Sequence, residues 1–187
     1  MKEITLVTSN PRKLEEIGSA LAEYNIKLVS RSFDIPEIQA DSLEEVIKDK
    51  IEQAYKIVKK PVIVDDAGIF FKGYKHFPGV YSRFMFASLG FSGLLKLIKN
   101  NQSAFFASYI AYKKSARSEP MLFSGKVTGK LTNRVRGKIK YKMPYDNIFI
   151  PAGDTRTFAE MTIAEKQQYD HRSKAVRKFC KYLSQQI

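Results

Sequence analysis

Two adjacent carboxylates stand at the end of an uninterrupted apolar run, Val62-Ile63-Val64-Asp65-Asp66-Ala67-Gly68. Three β-branched residues in a row read as a strand buried on both faces. Aspartate is disfavoured inside strands and rarely left unpaired in a core. The pair is therefore expected at the carboxyl end of the strand, where open α/β sheets form their ligand crevices. Taken alone, Asp-Asp-Ala-Gly is equally good turn chemistry. A second stretch with chemical potential is Thr8-Ser9-Asn10-Pro11-Arg12-Lys13. Asn10 suits a helix N-cap, Pro11 suits the first helical position, and Leu14, Ile17 and Leu21 continue at helical spacing. A strand, a polar loop and a helix start aim backbone N–H groups and the positive end of a helix at one spot. That is a ready phosphate site, to which Lys13 would add a full charge. The same residues also read as an ordinary capped helix.

The elements that would position these residues alternate. Residues 4–8 and 26–30 read as short strands, and residues 34–39 as a loop broken by Pro36. A long helix is predicted from Ser42, with Glu45 as its capping-box partner and an apolar stripe of Leu43, Val46, Ile47, Ile51, Ala54 and Val58. Pro61 ends it, and the acidic strand follows. Glu37 and Lys50 read most simply as solvated surface groups. Residues 73–79 are turn-rich, residues 81–88 and 92–99 suit two short helices, and residues 104–112 and 121–132 suggest an antiparallel pair joined through the charged loop 113–119. Residues 133–142 form a basic, apolar-poor loop, residues 143–151 a turn and a strand, and a last helix is predicted from about His171 with Val176, Phe179 and Leu183 inward. Strands and helices alternating in this way specify an α/β fold.

A chain of 187 residues can bury one sizeable core, so a single domain spanning 1–187 is the default. No apolar run approaches the ~20 residues of a membrane helix. Met1 is followed at once by Lys2-Glu3-Ile4 and a strand pattern, so no secretory signal is expected. The one cysteine, Cys180, rules out an internal disulfide and a cysteine zinc site, which fits a reducing, cytoplasmic compartment. With only His76 and His171, a histidine metal site or triad is disfavoured. The formal net charge of +13 is unevenly placed: residues 1–112 carry +2 and residues 113–187 carry +11. Polyanions are the expected partners, and charge does not choose between nucleic acid and a phosphorylated small molecule.

Four segments together, in order along nearly the whole chain, resemble the inosine triphosphate pyrophosphatase family. Thr8-Ser9-Asn10-Pro11-Arg12-Lys13 is similar to its phosphate loop, and Asp65-Asp66-Ala67-Gly68 to its central Asp-Asp-Ser-Gly. Phe77-Pro78-Gly79-Val80-Tyr81-Ser82 is similar to its Pro-Gly-x-Tyr-Ser turn. Thr157-Phe158-Ala159-Glu160-Met161 with Glu165-Lys166 and His171-Arg172 is similar to its C-terminal signature. The resemblance implies hydrolysis of nucleoside triphosphates bearing hypoxanthine or xanthine (ITP, dITP, XTP) to the monophosphate and pyrophosphate. It implies Mg2+ at Glu37 and Asp66, with Asp66 also activating the attacking water. It further implies that Thr8, Ser9, Asn10, Lys13, Lys50 and Ala67 engage the phosphates, with Lys13 catalytic alongside Asp66. Lys166, His171 and Arg172 would read the purine, with Tyr145 and Asp146 beside base and sugar. The implied fold is an elongated, two-lobed α/β structure around a long mixed β-sheet, with the active cleft between the lobes, assembled as a homodimer.

Physical chemistry fits these roles. Charge developing on a leaving pyrophosphate is offset by a divalent cation and lysines, and magnesium takes oxygen ligands while keeping waters. Donors facing a 6-keto purine accept hypoxanthine or xanthine and clash with the amine of adenine. The chain departs from the family pattern around the base. Met143-Pro144-Tyr145-Asp146-Asn147 stands where relatives have Phe-Gly-Tyr/Trp-Asp-Pro, with Tyr145 as the remaining aromatic. Asp170 replaces the serine before His-Arg, and Ala67 the serine of Asp-Asp-Ser-Gly. Arg83 stands where relatives often carry another basic or small residue. Two other readings follow: the same reaction with relaxed base choice, and a basic nucleic-acid-binding module without turnover, motivated by the +11 half and the aromatic run 105–112.

Overall fold

The computed structural model describes residues 2–75, 77–139 and 142–185. His76, and residues 140 and 141 of the basic loop, lie outside the described residues. Among these the chain forms an α/β structure with a mixed seven-stranded sheet in the order β2-β1-β3-β5-β6-β7, β4 pairing with β3, and five α-helices. The strands are β1 (Lys2–Val7), β2 (Ile26–Arg31), β3 (Val62–Phe71), β4 (Pro78–Gly79), β5 (Ser103–Lys113), β6 (Met121–Leu131) and β7 (Phe149–Pro151). The helices are α1 (Pro11–Ala22), α2 (Leu43–Val58), α3 (Ser82–Leu97), α4 (Ile163–Tyr169) and α5 (His171–Ser184). No helix among the described residues is long and apolar enough to cross a membrane.

The chain divides into two compact units, Met1–Ala67 with Ser108–Gly125 and His171–Ile187, and Gly68–Ala107 with Lys126–Asp170. In the first, β1 is flanked by parallel partners, β2 with Val7 opposite Arg31 and β3 with Val7 opposite Val64. Alternation sorts the side chains to two faces. Ile4, Leu6 and Ile63 pack with Ile17 and Leu21 of α1 and Val176 and Phe179 of α5. Val7, Val62 and Val64 pack with Ile47, Ile51 and Ala54 of α2. The sheet is thus covered on both faces, which is why its strands are continuously apolar. Asn10 caps α1 through its side chain, which accepts from the Arg12 N–H, with Pro11 at the first turn; Ser42 caps α2 by accepting from the Glu45 N–H.

The second unit is built on the remaining parts of β3, β5 and β6 with β4, β7, α3 and α4. Its core is aromatic, with Phe106, Phe149 and Phe158 meeting at centroid distances of 4.9–6.1 Å around Ile69, Leu94 and Leu131. The helix pair expected over residues 81–99 is present as α3, broken at Gly90 by a φ of 58°. α4, which the apolar pattern does not announce, is set by a capping box between Thr162 and Glu165.

Candidate active site

The acidic pair does not end its strand. β3 runs on through Asp65 and Asp66 to Phe71, and what ends there is its parallel neighbour: β1 pairs only as far as Val64 before its chain turns into the Thr8–Lys13 loop. The two aspartates therefore flank the open carboxyl end of β1 from within a longer strand. Gly68 is required for the continuation, since a Cβ there would collide with the Gly79 carbonyl of β4. Ser82 secures that approach, its hydroxyl accepting from the Ile69 N–H at 3.0 Å and donating to the Gly79 carbonyl at 2.6 Å.

Neighbouring strand residues point to opposite faces, and this separates the two carboxylates. Asp65, on the α1 and α5 face, is buried. Its Oδ1 accepts from Arg172 Nε at 3.2 Å and its Oδ2 pairs with Lys13 Nζ at 2.9 Å, while Lys13 also donates to the Asp65 carbonyl. Arg172 in turn binds Glu16 of α1, another buried carboxylate. Burial pushes the Asp65 carboxyl up, but Arg172 and then Lys13 outweigh it and hold the group well below the usual carboxylate range.

Asp66 faces the α2 side and is half-buried. The Ala67 backbone N–H donates to its Oδ1 at 2.9 Å, and Lys13 Nζ lies 3.8 Å from the same oxygen. On α2, Lys50 pairs with Glu37 at 2.7 Å. Burial draws the Lys50 ammonium down, while Asp66, Glu37 and Asp65 raise it by more, so both expected metal ligands act on one cation. Glu37 and Lys50, which read from sequence as plain surface groups, thus belong with Asp66. In the loop itself Thr8 Oγ1 accepts from the Asn10 N–H at 3.1 Å, and Ser9 is exposed. The first unit therefore gathers Thr8, Asn10, Lys13, Glu37, Lys50, Asp66 and Ala67 at half-buried or exposed positions.

The expected base-reading residues are divided. His171 and Arg172 open α5 in the first unit; both are 2% exposed. Arg172 is committed to Asp65 and Glu16, so its guanidinium braces the sheet against α1. Lys166 and Asp146 lie in the second unit and form a buried pair at 2.7 Å, with Lys166 Nζ 5.1 Å from the Phe158 centroid. Tyr145 is buried in the second unit as well. Its ring sits edge-on to Phe71 and Phe86 in the core, and its hydroxyl donates to the Ser82 carbonyl at 2.8 Å. It is 5% exposed, close to His171, Lys166 and Asp146 at 2–3%. Glu16 escaped the sequence reading, though it sits one position before Ile17 on the buried arc of α1, where an acid demands a partner.

The model of the Ham1 family matches residues 4–182. The chain belongs to the Ham1 family. The dITP/XTP pyrophosphatase of Thermococcus kodakarensis is 39% identical over 186 residues, 98% of either chain, and that of Pyrococcus horikoshii 38% identical over 183 residues, 97% of this chain and 96% of its own. Among solved structures, a HAM1 protein from Coxiella burnetii superposes with a TM-score of 0.80 at 26% identity, covering 99% of this chain and all of its own. The Staphylococcus aureus Ham1 protein superposes over the whole of both chains with a TM-score of 0.74 at 23% identity, a likeness of fold. The family resemblance read from four segments is thus borne out over nearly the full Ham1 chain.

Proposed function

We propose that this chain is a nucleoside triphosphate pyrophosphatase of the cytoplasm that hydrolyses dITP, XTP and ITP to the monophosphate and pyrophosphate, removing deaminated purines from the nucleotide pool. The observation that carries it is the full-length likeness to dITP/XTP pyrophosphatases. The chain acts as one domain built from its two units, and as a homodimer.

Glu37 and Asp66 would hold Mg2+, and the donor chemistry suits it: two carboxylates offer hard oxygens. Among the described residues no group of three or more His, Cys, Asp or Glu could form a protein-only cage. That leaves coordination positions to water and phosphate oxygens, as magnesium prefers. When bound, the ion would supply charge to offset the developing pyrophosphate. The chain's own residues do the rest. The polar side chains of the Thr8–Lys13 loop and the positive end of α1 receive the phosphates. Lys13 and Lys50 neutralise them. Asp66, oriented by the Ala67 N–H, takes the proton of the attacking water. Asp65, clamped by Arg172, fixes Lys13. The resemblance's assignment of the base to His171, Lys166 and Asp146 is retained as part of this reading; Arg172 is reassigned to positioning.

Pyrophosphate release from dITP by the purified chain tests the proposal. Turnover is expected with Mg2+ and to disappear with excess chelator, and Asp66→Asn is expected to lower kcat by about 10²–10⁴-fold without loss of fold. Full turnover in Asp66→Asn removes that residue from the mechanism, and no release from any purine triphosphate rejects the activity.

A further inference from the structure

The charge excess of residues 113–187 is not absorbed by the proposed reaction, and part of it converges on one place in the second unit. An open depression of about 520 Å³ lies beside the ends of β6 and β7. Among the described residues its charged lining is cationic, comprising Lys130, Arg134 and Arg136. Hydrogen-bonding capacity comes from the amides of Asn100, Asn101 and Asn133 and the hydroxyls of Thr132 and Thr155, while Ile150 is the one aliphatic residue lining it. Arg136 is held, pairing with Glu160 at 3.0 Å and donating to the Thr155 carbonyl. Lys130 and Arg134 have no ion pair among the described residues, so two cations remain uncompensated.

The loop bearing Arg134 and Arg136 is braced from within the second unit. Asn147, fully buried, donates from Nδ2 to the Arg136 and Lys138 carbonyls at 2.8 and 2.9 Å, and its own carbonyl accepts from the Arg136 N–H at 2.9 Å. Asn147 stands where the family pattern has proline, which has no side-chain donor. The departure from the pattern is therefore what ties this cationic loop in place. Two exposed cations beside amides and hydroxyls, in a mainly polar lining, are complementary to a compact polyanion.

We propose that this depression is a second anion site, distinct in its residues from those proposed for hydrolysis, and that it binds the phosphate groups of a small molecule, either free pyrophosphate or the phosphate tail of a nucleotide. The proposal does not rest on the hydrolase reading. Calorimetric titration of the full chain with sodium pyrophosphate, in chelator and in a Lys13→Ala background, isolates it. Binding is expected to persist in Lys13→Ala, to weaken with added salt, and to fall by about tenfold or more in Lys13→Ala/Lys130→Ala/Arg134→Ala. Retention of charge in Lys13→Ala/Lys130→Arg is expected to preserve it. Inosine monophosphate as a second probe distinguishes sources: equal dependence on Lys130 and Arg134 places nucleotide phosphates there too, and a response confined to pyrophosphate restricts the site to the free anion. Unchanged pyrophosphate affinity in the triple variant overturns the proposal. So does a single-stranded oligonucleotide that binds through Lys130 and Arg134 when pyrophosphate does not, which would make the surface a nucleic-acid contact.

Discussion

Asp65 and Asp66 are adjacent in sequence and alike in chemistry, yet a one-residue step along β3 gives them opposite work. Asp65 looks toward α1 and α5 and is consumed by Arg172 and Lys13; Asp66 looks toward α2 and shares Lys50 with Glu37. A similar separation of roles applies to Tyr145. Its hydroxyl satisfies the Ser82 carbonyl inside the second unit's core. Tyr145→Phe strands that carbonyl and is expected to cost about 1–2 kcal/mol in urea unfolding, while leaving the ratio of kcat/KM for dITP over dATP unchanged. A shifted ratio would place Tyr145 at the base.

α1 and α5 are joined to β3 by the chain Glu16–Arg172–Asp65–Lys13. Breaking a buried pair leaves an unpaired charge, so Arg172→Met is expected to destabilise by about 3–5 kcal/mol and lower Tm by roughly 10 °C. An unchanged Tm would mean the guanidinium is not bracing these elements. The same network predicts a pH dependence. Because the folded-state Asp65 carboxyl is held below its ordinary value, the stability it contributes is complete above the unfolded pKa and is lost as pH falls toward the folded one. The gap in unfolding free energy between the wild type and Asp65→Asn should stay constant above about pH 5 and narrow below about pH 4. A gap independent of pH down to acid unfolding would contradict the ion-pair account. α5 is also held close to β6: a Cβ at Gly125 would strike the His171 carbonyl, so that glycine marks a backbone approach.

Base choice is a property of the proposed reaction as a whole, and a purine panel reads it directly. With donors facing a 6-keto group, dITP and XTP are expected to exceed dATP in kcat/KM by about 10²-fold or more, measured by pyrophosphate release across a purine panel. Equal rates on all purines would favour the relaxed form of the reaction. Met143 and Asp170, which replace an aromatic and a serine of the family pattern, are the positions at which such relaxation would arise.

Much of this was written locally. Asn10 before Pro11, Ser42 before its apolar stripe, and the Val62–Val64 run each carry their own backbone instruction, through capping, fixed φ and β-branching, so these elements were legible from neighbours in the chain. Order and spacing of the four motifs were enough to place the family. What neighbours could not convey was partnership across distance. Lys50 reads as a surface lysine until α2 packs against β3, Arg172 reads as a basic helix start until Glu16 and Asp65 close on it, and β3 outruns its charged pair where β4 pairs with it. Solvation, side-chain commitment and strand length are set by which groups meet after packing, and one-dimensional pattern does not encode those meetings.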